Sequence, residues 1–100
     1  MAAVIHHGGA GTTATTARSG VPQIIVPHIL DQYYWGNQIY KSKLGPKPIW
    51  RAKLTTENLS RAIKESVTNQ ELINNARKMG KKLRRKNSSE IAVREIERLI

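Results

Sequence analysis

Two regimes of hydrophobic and polar positions divide the chain. In the first, apolar residues come in short unbroken runs. Ala2 to Ile5 runs into two histidines and a cluster of glycines, and Gln23 to Val26 stops at Pro27. A brief apolar run bounded by Gly or Pro predicts a strand covered on both faces. Between the two runs, a stretch rich in Thr and Ala opens at Gly11 or Thr12 and continues through Arg18. It predicts a helix closed by Gly20 in the left-handed cap position, with Val21-Pro22 ending it. Threonine is a weak helix former, so this helix depends on what it packs against. Strand, helix, strand is the unit of a parallel, doubly wound α/β sheet.

The second regime begins after Pro27, where apolar residues recur at helical spacing. Asp31 is placed to cap a helix from Gln32 to Lys43 that carries Tyr33, Tyr34, Trp35, Ile39 and Tyr40. Gly45, Pro46 and Pro48 break it, and Lys47 to Trp50 reads as a short edge strand. Thr55 is an N-cap for a helix with the apolar stripe Leu59, Ile63 and Val67. Leu72, Ala76, Met79 and Leu83 form the stripe of the next, and Asn87 with Glu90 is a capping pair for a last helix to Ile100. The predicted fold class is α/β, with two to three parallel strands and about five helices. A sheet this small leaves both edges open, so the chain is expected to be a piece of a larger sheet and to self-associate.

Composition narrows the reading. A chain of 100 residues, 39% hydrophobic, suits one small domain. Without cysteine it forms no disulfide and no thiolate metal site. No apolar run approaches the roughly 20 residues of a membrane span, and no basic segment leads an apolar one at the N-terminus. A cytoplasmic setting, with peripheral membrane contact, is the expectation. The net charge of +10 is uneven: residues 1–40 hold only Arg18 and Asp31, and all other charged residues lie beyond them. Such asymmetry points to an anionic partner.

The chemistry concentrates in His6-His7-Gly8-Gly9-Ala10-Gly11-Thr12-Thr13. A strand that ends in glycines at a helix N-terminus exposes unpaired N–H groups at the positive end of the helix dipole, which suits an anion. Gly8, Gly9 and Gly11 let a phosphate approach the backbone, Thr12 and Thr13 add hydroxyls, and His7 can donate or carry charge. The other reading of the turn is a tight strand-to-helix connection. The relaxed dinucleotide fingerprint also fits, but its acid should stand at the end of the second strand, and Asp31 lies past Pro27. The P-loop is excluded because no Gly-Lys-Ser/Thr follows. Adjacent on a strand, His6 and His7 point to opposite faces, so no metal site is expected. His6 is expected to pack as a hydrogen-bonded histidine on the side away from His7.

The run from His6 to Ile39, with His7-Gly8-Gly9-Ala10-Gly11-Thr12, Gly20-Val21-Pro22, Asp31-Gln32 and Trp35-Gly36-Asn37 in order, resembles the donor-binding signature of family 1 glycosyltransferases of the GT-B fold. The run from Leu44 to Ile63 resembles their sterol 3β-glucosyltransferase branch. The resemblance spans Ala3 to Ile63 and implies a partial Rossmann-like GT-B C-terminal domain. Residues 1–50 would be its donor-binding part and residues 51–100 its helical part. It further implies that His7, Gly9, Gly11, Thr12 and Thr13 bind the donor diphosphate, and that Asp31 and Gln32 bind hydroxyls of the transferred sugar. A carboxylate accepts from two adjacent hydroxyls, which suits a hexose.

The same resemblance implies a UDP-sugar substrate, no cofactor, and a lipid or sterol acceptor held by an N-terminal domain upstream of these residues, together with the catalytic base. No catalytic residue is expected in this chain. The full protein would be a hexosyltransferase moving glucose with inversion, and this piece alone would be inactive. Three positions depart from the sterol branch. His28-Ile29-Leu30 stands where Phe-Phe-Gly is usual, and Tyr33 and Trp50 stand where prolines are common.

A different class of function is a non-catalytic module that binds phospholipid or another anion. Arg77, Lys78, Lys81, Lys82, Arg84, Arg85 and Lys86 crowd one short run. An anionic membrane surface would attract them. No aromatic residues are interleaved for base stacking, so nucleic acid is not expected. The plain alternative is a solvated helix face.

Overall fold

A computed structural model describes residues 3–85. The chain runs β1 (Val4–His6), α1 (Ala10–Ser19), β2 (Gln23–Ile25), α2 (Leu30–Lys41), a 3-10 turn (Arg51–Lys53), α3 (Thr56–Thr68) and α4 (Gln70–Arg84). The helix expected from Asn87, and Lys86 of the basic run, lie outside the described residues. β1 and β2 pair in parallel with Val4 opposite Gln23, Ile5 opposite Ile24 and His6 opposite Ile25. Parallel strands need a crossover, and α1 supplies it.

β2 is buried throughout, packed against α1, α2 and α3, whereas Ile5 on β1 is half-exposed. The core joins Ala14 and Ala17 of α1, Ile25, Ile39 of α2, Leu44, and Ala76, Met79 and Leu83 of α4. Gly20 takes the left-handed conformation (φ 80°) and its N–H closes onto the Ala17 carbonyl. There α1 and α4 cross closely: a Cβ on Gly80 would stand 2.5 Å from the Gly20 Cα. Small residues on both helices let the Thr-rich α1 gain the packing its propensity lacks.

Three expectations are corrected. Asp31 is not the cap of α2: the helix starts two residues earlier, with extended Ile29 at the N-cap, and Asp31 lies inside the first turn. Gln32 instead folds back, its Oε1 accepting the His28 N–H at 2.8 Å. Second, the bulky stripe of α3 does not face the core. Ile63 and Val67 are exposed, and α3 buries Ala62 and Ser66, whose small side chains admit close packing. Third, residues 47–50 are not a ladder strand. The Ile49 and Arg51 N–H groups donate to the Ile25 and Pro27 carbonyls, so the segment runs beside β2. Pro46 and Pro48 lack the N–H groups that would complete the ladder.

Candidate functional site

β1 ends by delivering His7, Gly8 and Gly9 to the start of α1. Gly8 is buried at φ +98°, and a Cβ there would fall 2.6 Å from the Gln32 carbonyl oxygen and 2.8 Å from Ile25 Cγ2. The fold itself demands glycine at that position. Gly9 and Gly11 differ. Gly9 has ordinary extended angles (φ −64°, ψ 145°) and Gly11 is in the first helical turn, yet an added Cβ on either meets nothing within 4 Å. Neither glycine is required by this chain's own packing, and both border open space. The first-turn N–H groups of α1 have no side-chain cap, and the helix dipole adds roughly half a positive charge at that end.

Gly9 lines a cleft of about 330 Å³ together with Ile5, His6, His7, Thr12 and Gln32. The structure thus gathers four of the expected site residues: His7, Gly9, Thr12 and Gln32. Gly11 is exposed on the same first turn. Thr13 is fully buried, and its hydroxyl has no hydrogen-bond partner. Its side chain faces the core rather than the cleft. Asp31 is exposed and lies beside Gln32 in sequence, outside the cleft wall.

His6 and His7, expected on opposite faces, both contribute to the cleft wall, with β1 ending at His6. The half-buried His6 accepts the Gly8 N–H at Nδ1 (3.0 Å), and its Nε2 is 2.7 Å from Gln23 Oε1. Gln23 Nε2 in turn donates to the Thr13 carbonyl at 3.1 Å. His6 is hydrogen-bonded as expected, and it also contributes to the cleft wall. Burial lowers its pKa; the Gln23 hydrogen bond opposes the shift and His7 adds to it.

The sequence placed His28 only in the run that departs from the sterol branch and gave no sign that it meets His7, 21 positions away. The two imidazoles lie with ring centroids 4.3 Å apart. Desolvation, then His7, then Arg51 lower the pKa of His28. Among the described residues, no three His, Cys, Asp or Glu side chains come together as a metal site. Tyr33 and Trp50 stack at 4.8 Å with an interplanar angle of 8°. Of the departures from the sterol-branch pattern, Tyr33 lies on Trp50 and His28 lies on His7, while Ile29 and Leu30 are exposed.

The basic run belongs elsewhere. Arg84 donates to the Arg18 carbonyl at 2.7 Å, and Gly20 lies against Ala76 and Arg77. α4 thus brings Arg84 to the C-terminal end of α1, where a cation complements the dipole. The cleft lies at the other end of that helix, about 15 Å away for ten residues. No helix among the described residues is long and apolar enough to cross a membrane.

With this geometry in view, the likeness to known proteins is specific. Residues 1–99 match the family described as the erythromycin biosynthesis protein CIII-like C-terminal domain. The chain belongs to that family, a C-terminal domain of family 1 glycosyltransferases. It is 56% identical over 62% of its length to a sterol 3-beta-glucosyltransferase of Arabidopsis thaliana. It is 38% identical over 98% of its length to one of Leptosphaeria maculans. A further relative is the O-mycaminosyltylonolide 6-deoxyallosyltransferase of Streptomyces fradiae, 37% identical over 79% of this chain. The chain spans 10%, 6% and 19% of the lengths of these three.

Proposed function

We propose that this chain forms the donor-binding part of a UDP-sugar-dependent glycosyltransferase, with the diphosphate at the start of α1. The carrying observation is the pair Gly9 and Gly11, which border open space that none of the described residues fills. A glycine in a helix costs up to about 1 kcal/mol relative to alanine, and close approach of a ligand to the backbone is a reason to keep it. The uncapped N–H groups, the Thr12 hydroxyl and the His7 ring supply donors around that space. Gln32 and the neighbouring Asp31 are the groups for sugar hydroxyls. Thr13 acts through its place in the core.

The whole protein, on this reading, transfers a hexose to a sterol-like alcohol, supported by the names of the sterol relatives and the family match. The acceptor and the base that deprotonates it belong to another part of that protein. No α4 residue lines the donor cleft, and Arg84 is held at the opposite end of α1.

The test is a titration of the 15N-labelled chain with UDP and with UDP-glucose. Amide shifts are expected at His7, Gly9, Gly11 and Thr12 with either ligand, and at Asp31 and Gln32 with UDP-glucose only. Shifts confined to α4, or none at all, would overturn the reading.

A further inference from the structure

We propose that His6 is the positioning residue of the glycine turn: as a neutral Nε2–H imidazole it holds the Gly8 N–H, and with it His7 and Gly9, in the arrangement that receives a phosphate. The inference rests on the donor-phosphate reading for its consequence. Its local half, the protonation state of the ring, stands on the hydrogen bonds alone.

The donors and acceptors leave one assignment. A backbone N–H can only donate, so His6 Nδ1, 3.0 Å from the Gly8 nitrogen, carries a lone pair. A backbone carbonyl can only accept, so the Gln23 NH2 faces Thr13 and its Oε1 faces His6. His6 Nε2 therefore carries the ring proton and donates it at 2.7 Å. The relay ties the end of β1 and the turn to the start of β2 and the first turn of α1. It meets the turn at Gly8, the residue wedged against the Gln32 carbonyl at positive φ. His7 and Gly9, on either side, are cleft residues.

A proton on Nδ1 would set two donors face to face and release Gly8. The surroundings resist it. Thr12 of α1 and Gln32 of α2 share the cleft wall with His6, and Gln23 of β2 bonds its ring. None of these titrates. Asp31, next to Gln32, is exposed and outside that wall. The titratable neighbour is His7, one residue past the end of β1. Burial first, with His7 adding to it against the Gln23 bond, holds His6 below its ordinary 6.5. The unfolded chain takes up this proton near 6.5 and the folded chain only at lower pH. The contribution of the relay is thus whole above 6.5 and is lost as the pH falls below it.

Imidazole 15N spectra and UDP affinity, both followed from pH 8 to pH 5, provide the test. Near pH 7.5 the His6 ring should show a protonated Nε2 and an unprotonated Nδ1. The Gly8 amide should shift with the His6 midpoint, below 6.5. Other imidazoles lie close to the turn, so the decisive comparison is with His6→Asn, whose Oδ1 replaces the Nδ1 acceptor without titrating. Losing one hydrogen bond is expected to weaken UDP about threefold to tenfold. His6→Leu should show that loss at pH 7.5 and His6→Asn should recover most of it. In acid, wild type should lose affinity relative to His6→Asn. A ring protonated at Nδ1 at pH 7.5, or identical acid profiles for wild type and His6→Asn, would refute the proposal. If UDP binds none of them, the donor reading fails, and the ring tautomer with the Gly8 amide decides the local claim by itself.

Discussion

Helices α1 and α3 begin in opposite ways. α3 closes its own end: the Thr55 hydroxyl accepts from the Asn58 N–H at 3.1 Å, and the Asn58 side chain accepts from the Thr55 N–H at 2.8 Å. The same asparagine donates to the Lys53 carbonyl. α4 does likewise, with Asn69 accepting from the Glu71 N–H. α1 starts at Gly9 with no side chain to cap it and a second glycine in its first turn. One start uses side chains to satisfy the backbone, and the other leaves the backbone open toward a cleft. A helix start without a side-chain cap, next to space that a methyl group would not fill, leaves its N–H groups open to an anion.

The difference can be broken at three points, and the largest effect is expected at Gly8. Gly8→Ala places a side chain at φ +98° and drives Cβ against the Gln32 carbonyl and Ile25. Strain and overpacking together should destabilise the chain by about 3 kcal/mol. Urea unfolding with an unchanged slope would measure it. A loss below about 1 kcal/mol would mean that the turn yields easily and that the relay through His6 does not hold it rigidly.

Thr55→Ala comes next. Removing the cap of α3 should cost about 1 kcal/mol. Thr55 is far from the cleft in role, so UDP shifts at His7 and Gly9 should persist. If the same substitution erased them, the two helix starts would not be independent, and the contrast between a fold-serving cap and a ligand-serving one would fail.

Much of the fold was legible because glycine and proline punctuate it. Gly20 takes the left-handed cap its position suggested, Pro27 follows the second strand, and the stripe Leu72, Ala76, Met79, Leu83 is buried as its spacing implied. The stripe of α3 misled because periodicity marks an apolar face without saying what that face meets. β2 and α4 accept Ala62 and Ser66 at close range, and Ile63 and Val67 turn outward. The site divides in the same way. His7, Gly9, Thr12 and Gln32 were readable because their motif is local and ordered. The relay from His6 through Gln23 to Thr13 was not, since it depends on the register that sets Val4 opposite Gln23. Nor was the contact of His28 with His7, which arises only once β1 and β2 lie side by side.

The smallest effect has the opposite sign and separates the two starts most sharply. Gly11 is helical, and a Cβ on it meets nothing within 4 Å. Gly11→Ala should therefore stabilise the chain by about 0.5 kcal/mol, since alanine loses less entropy in a helix and adds no clash. The new methyl would also occupy the approach to the first-turn N–H groups, so UDP should bind more weakly to the more stable protein. A variant gaining stability with UDP affinity unchanged would show that Gly11 is not where the phosphate comes close. A variant losing stability would show that the space beside α1 is needed by the fold. The expected pairing, a tighter fold and a poorer ligand site from one methyl group, is the outcome that only an opening kept for a ligand predicts.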